Sequence, residues 1–105
     1  MEIIIRSHNA AVSPRTRARA EAAVQRVAER LRRIVDAVVR FEQDGPERRV
    51  DIVLHAARGR RLVASGRAAR FGPALSAALA RLEGQARADR RRPPRVNPLK
   101  TLPTA

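Results

Sequence analysis

The sequence predicts an α+β domain with the order β-α-β-β-β-α, a four-stranded sheet carrying two helices packed on one face. Three observations carry that expectation. Between Asp36 and Ala68 apolar and polar residues alternate in three runs separated by Asp44-Gly45-Pro46 and Arg58-Gly59, the pattern of an antiparallel meander. Ser13-Pro14 is a helix start, with a serine oxygen to cap free N–H groups and a proline where no N–H is needed. Phe71, Leu75, Ala78, Leu79, Leu82 and Ala86 then recur at helical spacing.

The elements follow in order. Residues 2 to 7 read as a strand because Ile3, Ile4 and Ile5 are β-branched. The first helix runs from Pro14 to about Arg33 or Ile34, with Ala20, Val24, Val27, Leu31 and Ile34 on its apolar arc. In the second strand Ala37, Val39 and Phe41 alternate with Asp36, Arg40 and Glu42. The third strand, from Arg48, sets Val50, Ile52 and Leu54 against Asp51, Val53 and His55. The fourth, Arg61 to Ala68, alternates Leu62, Ala64, Gly66 and Ala68 with larger or polar residues. The second helix spans about Pro73 to Arg90, and Arg70, Arg81 and Arg92 share a line opposite its core face. Residues 1 to 92 form the domain. From Pro93 to Ala105 four prolines stand among few apolar residues, and this segment reads as a disordered tail.

Charge is the strongest functional signal. The chain has 23 basic residues, all but Lys100 arginine, against 10 acidic ones, for a net charge of +13. Wound at roughly 100° per residue, Arg15, Arg19, Arg26, Arg30 and Arg33 fall within about 60° of one another, on an arc centred about 110° from the apolar one. One face of the first helix packs and its neighbour holds out a row of guanidinium groups. Guanidinium is planar, permanently charged and rich in donors, which suits phosphate oxygens. Such a charge supports fast, salt-sensitive association with a polyanion. A GC-rich coding sequence also favours arginine and alanine, which supplies part of the bias as solvated background.

Other classes find little support. A chain of 105 residues holds one modest core. No apolar run approaches the roughly 20 residues of a membrane span, and Met1 leads straight into a strand, so the expectation is a soluble, cytoplasmic protein. There is no cysteine, and His8 and His55 lack a third ligand at metal spacing. Serines 7, 13, 65 and 76 sit in no nucleophile-elbow context, and no phosphate-binding glycine loop is present. Asp36 and Asp51 are placed to face one another across paired strands, a carboxylate pair read as charge balance against Arg6, Arg40 and Arg67 rather than as a nuclease site. No catalytic residue, cofactor or metal is therefore expected. Phe41 and Phe71, the only aromatic residues, are assigned to the core, so nucleic-acid recognition rests on phosphates and shape rather than stacking.

Ser13-Pro14 at the first helix, Leu62-Val63-Ala64-Ser65-Gly66-Arg67 in the last strand and Ala77-Ala78-Leu79-Ala80-Arg81-Leu82-Glu83-Gly84-Gln85 in the second helix, taken with the β-α-β-β-β-α order, resemble the ribosome hibernation-promoting factor family. This is the family of ribosome-associated inhibitors, also called sigma-54 modulation proteins, and the resemblance spans about residues 1 to 91. It implies a translation inhibitor that occupies the messenger and transfer RNA channel at the decoding region of the small ribosomal subunit in starved or stationary cells. The implied partner is that subunit with its 16S-type rRNA, with no membrane and no small-molecule substrate. The 105 residues include no C-terminal dimerisation domain and so resemble a short form. The tail is neither long nor acidic, which leans toward the type that acts with a ribosome-dimerising partner factor.

Carried over by position, the family's basic residues fall on Arg26 and Arg81, while Ala23 and Gly84 stand where others are usually basic. Arg70-Phe71-Gly72 replaces the usual Asp-Met-Tyr. Arg87, Arg90, Arg91 and Arg92 offer electrostatic compensation, since phosphate contacts tolerate relocation. The expected RNA-binding residues are thus Arg15, Arg19, Arg26, Arg30, Arg33, Arg81, Arg87, Arg90, Arg91 and Arg92. The main competing reading is a generic double-stranded RNA- or DNA-binding module. A membrane-surface helix fits less well, because the first helix has no Trp or Phe on an apolar face that the sheet needs.

Overall fold

The structure, a computed structural model, describes residues 1–91. Strand β1 (Glu2–His8) is followed by helix α1 (Pro14–Glu29), strands β2 (Ile34–Asp44), β3 (Glu47–Ala56) and β4 (Arg61–Ala68), and helix α2 (Phe71–Arg91), with a single 3-10 turn (Ala57–Gly59) between β3 and β4. The sheet order is β1-β2-β3-β4, with β1 parallel to β2 and the other pairs antiparallel. The expected α+β architecture is therefore the one observed. The tail from Pro93 lies outside the described residues.

Alternation places the core. Ala37, Val39 and Phe41 of β2, Val50, Ile52 and Leu54 of β3 and Leu62 and Ala64 of β4 turn inward and are buried against Ala20, Val24 and Val27 of α1 and Leu75, Ala78 and Leu82 of α2. Ser13 caps α1 as its sequence suggests, its Oγ accepting from the Thr16 amide at 3.1 Å. At Gly66 the packing is closest. A Cβ there would collide with the Ala74 carbonyl oxygen and the Ala78 amide nitrogen, so the backbone of α2 lies directly on β4.

Helix α1 stops sooner than expected. Its last residue is Glu29; Arg30 caps it with its amide directed to the Val27 carbonyl, and Arg33 takes a left-handed conformation (φ 58°) before β2 begins at Ile34. Leu31 and Ile34 still pack on the core, but from a turn rather than a fourth helical turn. Their positions four and seven residues after Val27 imitate a continuing helix. The stripe of five arginines is shortened accordingly: Arg15, Arg19 and Arg26 lie on the helix, Arg30 ends it and Arg33 lies beyond it. Strand β2 is correspondingly longer than expected, and a register shift between Ile34 and Asp36 leaves Val35 57% exposed.

The outer face of the sheet balances its own charge. Asp36 opposes His55 rather than Asp51, and the two side chains are in contact; Asp51 opposes Arg40. The expected Asp36–Asp51 pair does not form, because the antiparallel register places Asp51 opposite Arg40, four positions along β2 from Asp36. Asp51 instead accepts from Arg49 Nε at 2.9 Å and Ser65 Oγ at 2.6 Å, and this bond, reinforced by charge, holds the Arg49 guanidinium above its ordinary range. Arg40 pairs with Glu42 and Arg67 with Glu47. Ile4, Val38, Val53 and Val63 make one apolar row in register across this face.

The close approach at Gly66 has a direct consequence. Gly66→Ala should destabilise the domain by roughly 1–3 kcal/mol through overpacking, whereas Gly84→Ala, at an exposed helical site with open space around it, should stabilise it by about 0.5–1 kcal/mol. Urea unfolding of the two variants checks the contrast, and equal midpoints would contradict the helix-on-strand contact.

Candidate nucleic-acid interface

Charge separates between the two layers. Strand alternation puts six of the ten acidic residues, Glu2, Asp36, Glu42, Asp44, Glu47 and Asp51, on the outer sheet face with five arginines. That face is nearly neutral. The helical layer and its flanking turns carry most of the remaining arginines, so the net charge of the domain is concentrated there.

The helix starts add to it. Neither α1 nor α2 has an acidic residue in its first turn, so the partial positive charge of each N-terminus is left uncompensated. Arg15 and Arg17 stand in the first turn of α1, and Arg70 immediately precedes α2. The two starts are tied together by Arg19, which donates to the Gly72 carbonyl at 3.2 Å and to Ser76 Oγ at 2.6 Å. Like charge and helix dipole are thus gathered at one end of the helical layer.

The expected arginines fall into different situations. Arg15 and Arg26 are exposed on α1, and Arg87 is exposed on α2. Arg19 is the inter-helix tie just described. Arg81 donates to the Ser65 carbonyl, and Gln85, four residues and about one helical turn on, donates to the Val63 carbonyl. Since β4 is an edge strand, these two side chains cover acceptors that would otherwise invite another strand. Arg81 is therefore a structural residue as well as a candidate contact. Arg30 and Arg33 are exposed in the turn after α1. Arg90 and Arg91 belong to the last turn of α2, with side chains outside the described residues, as is the whole of Arg92.

Several basic residues were missing from the expected set. Arg17 donates to Ser7 Oγ at 3.2 Å and clips α1 to β1. Arg60 pairs with Asp89 at 3.4 Å and donates to the Arg32 carbonyl at 3.1 Å, joining three segments. Arg32 and Arg58 stand exposed in the two connections that it joins. Their signal in the sequence is only the arginine content of two short connections, which periodicity does not register.

The aromatic residues are engaged internally. Phe41 and Phe71 meet edge to face with centroids 5.5 Å apart, and the Arg48 guanidinium lies 5.8 Å from the Phe71 centroid. Neither ring is free to stack on a base, so the arrangement offers guanidinium groups and helix starts to phosphate. Among the described residues no three His, Asp or Glu side chains gather as metal ligands, and no helix is long and apolar enough to cross a membrane.

Among solved structures the chain is similar to a ribosomal subunit interface protein from Coxiella burnetii, with a TM-score of 0.76 and 17% identity over 88% of this chain and 100% of that one. It is also similar to the N-terminal domain of Protein Y from Thermus thermophilus, with a TM-score of 0.71 and 22% identity over the same shares. At these identities the likeness is one of fold. No curated protein matches the sequence. Residues 3–92 match the model of the family described as Sigma 54 modulation protein / S30EA ribosomal protein, and with so much of the chain covered the protein belongs to that family.

Proposed function

We propose that the protein is a translation inhibitor that binds the decoding region of the small ribosomal subunit, in the channel of messenger and transfer RNA, and holds ribosomes in hibernation during starvation. Family membership makes it a ribosome-associated protein, and a solved structure of similar fold is named for the ribosomal subunit interface. The observation that carries the reading is the separation of charge: a nearly neutral sheet backs a helical layer whose arginines have few acidic partners. RNA phosphates supply the missing counter-charge.

Arg15, Arg26 and Arg87 are the proposed primary contacts, with Arg30, Arg33, Arg90, Arg91 and Arg92 extending them and Arg81 adding charge while it covers β4. Association with ribosomes implies a cytoplasmic location. A generic duplex RNA or DNA binder is the second reading, favoured by the scarcity of base-reading side chains. The two diverge on selectivity. A ribosome factor should pellet with purified small subunits in the presence of excess random-sequence duplex, and a generic binder should be titrated away.

Two further outcomes test the site. If about six phosphates are neutralised, raising salt from 50 to 200 mM should weaken binding to small subunits on the order of a thousandfold; a flat salt dependence measured by pelleting would remove phosphate from the central role. Arg15→Glu combined with Arg26→Glu should keep the circular dichroism spectrum and the melting temperature, because the acid gained at the helix start offsets the one gained in the last turn. Its binding and its inhibition of translation in vitro should drop at least about a hundredfold. Val27→Asp, which buries an unpaired charge in the core, should instead unfold the domain.

A further inference from the structure

The far end of the domain holds a second arginine cluster on unusual backbone. Among the described residues only three non-glycine residues have positive φ: Asn9, Arg33 (φ 58°) and Arg58 (φ 66°). The two arginines occupy neighbouring connections, the turn from α1 to β2 and the 3-10 turn from β3 to β4, joined by the Ala57 amide donating to the Arg33 carbonyl at 2.9 Å. Left-handed backbone is cheap for glycine and tolerable for asparagine, but an arginine Cβ there crowds its own carbonyl. Gly59, next to Arg58, shows that glycine is available to the same turn.

The surroundings are built to hold these two residues. Arg60 donates to the Arg32 carbonyl and pairs with Asp89 of α2, and its carbonyl accepts from the Ala56 amide at 2.7 Å, so both turns and the end of α2 are locked together. Arg32, Arg33 and Arg58 are exposed, and none of them is in an ion pair among the described residues. A helix dipole explains a basic residue inside a last turn, such as Arg26, but falls off beyond it. It gives no reason for an arginine at Arg33 or at Arg58, which follows a strand. Strain of this kind persists where the surroundings enforce it and the side chain is wanted.

We propose that Arg33 and Arg58, with Arg32 beside them, form a second grip on RNA phosphates, taking a stretch of backbone separate from that held by the helix starts. Helix α1 has 16 residues and so is roughly 24 Å long at 1.5 Å per residue, with Arg15 at its start and Arg33 beyond its end. The contact surface thus continues past Arg26 and around the far end of the domain. This rests on the ribosome reading for the identity of the RNA, but not for the chemistry of the grip.

The test uses the full chain with Arg33→Gly/Arg58→Gly, which removes both guanidiniums and relieves the backbone, and Arg33→Lys/Arg58→Lys, which keeps both charges. Binding is measured to purified small subunits, to their protein-free rRNA and to a short random-sequence RNA duplex. The glycine variant should melt at or above the temperature of the parent, yet bind small subunits and free rRNA about ten- to a hundredfold more weakly, with a salt slope shallower by about two. The lysine variant should restore most of the slope. Unchanged affinity and slope in the glycine variant would overturn the grip, as would weakened binding to subunits with unaltered binding to free rRNA, which assigns the cluster to a ribosomal protein. If the parent ignores small subunits but the duplex shows the same loss in the glycine variant, the grip stands and the ribosome reading fails. If the parent binds none of the three RNAs, both fail.

Discussion

The contact of α2 with β4 at Gly66 fixes where everything else in the helical layer stands. A strand residue with no side chain admits the helix backbone, and Ala74 and Ala78 present only methyl groups or backbone to it. Larger residues would lift the helix. From that seated position Arg81 and Gln85 reach the outward carbonyls of Ser65 and Val63, so the helix also closes the edge it lies beside. The start of α2 is carried to the flank of α1, where Arg19 spans to Gly72 and Ser76. The placement of Arg87 and the rest of α2 against β4 depends on one missing Cβ.

The layer arrangement also explains how a domain of such charge stays folded. Acidic residues are not spread evenly; they sit on the outer sheet face, where Asp51, Glu42 and Glu47 meet Arg49, Arg40 and Arg67. Exposed pairs of this kind contribute little to stability. Their effect is to keep that face from adding to the repulsion on the other. Some helical-layer arginines are held by backbone carbonyls rather than by carboxylates, as Arg19 and Arg81 are. A carbonyl satisfies the donor without cancelling the charge, so the structure is tied together and the field outside it is kept.

The sequence was most informative where one face of an element is buried. Strand β4 was legible to its terminal residues, and the meander, the Ser13 cap and the core face of α2 were legible with it. Misreading began where two physical situations share one pattern. Leu31 and Ile34 follow Val27 at helical intervals, yet they point inward from a turn, and nothing about Arg33 marks left-handed backbone in the way a glycine would have done. Asp36 and Asp51 lie on the same face, but whether they meet depends on strand register, which the hairpin Asp44-Gly45-Pro46 sets and alternation alone does not. Within the candidate site the arginine stripe was legible as a charge pattern. Which arginines are already engaged was not, since Arg19 and Arg81 find their partners across 53 and 16 residues of sequence.

Arginine content and arginine availability are therefore different quantities in this protein. A count of basic residues treats Arg19, Arg49, Arg60 and Arg87 alike. The structure gives the first to an inter-helix tie, the second to Asp51, the third to a joint between two turns and α2, and leaves the fourth exposed. A carbonyl-bonded guanidinium such as that of Arg19 keeps its charge, whereas Arg49 and Arg60 are offset by Asp51 and Asp89, and only an exposed arginine without such ties has its full fork of donors for the bidentate contacts that fix position. Replacing a tied arginine would loosen the scaffold and the field together, whereas replacing an exposed one reads out recognition. Of the two arginines that the resemblance singled out in the sequence, Arg26 is of the exposed kind and Arg81 is of the tied kind. The two therefore differ in physical role, one presenting the surface and the other holding it in shape.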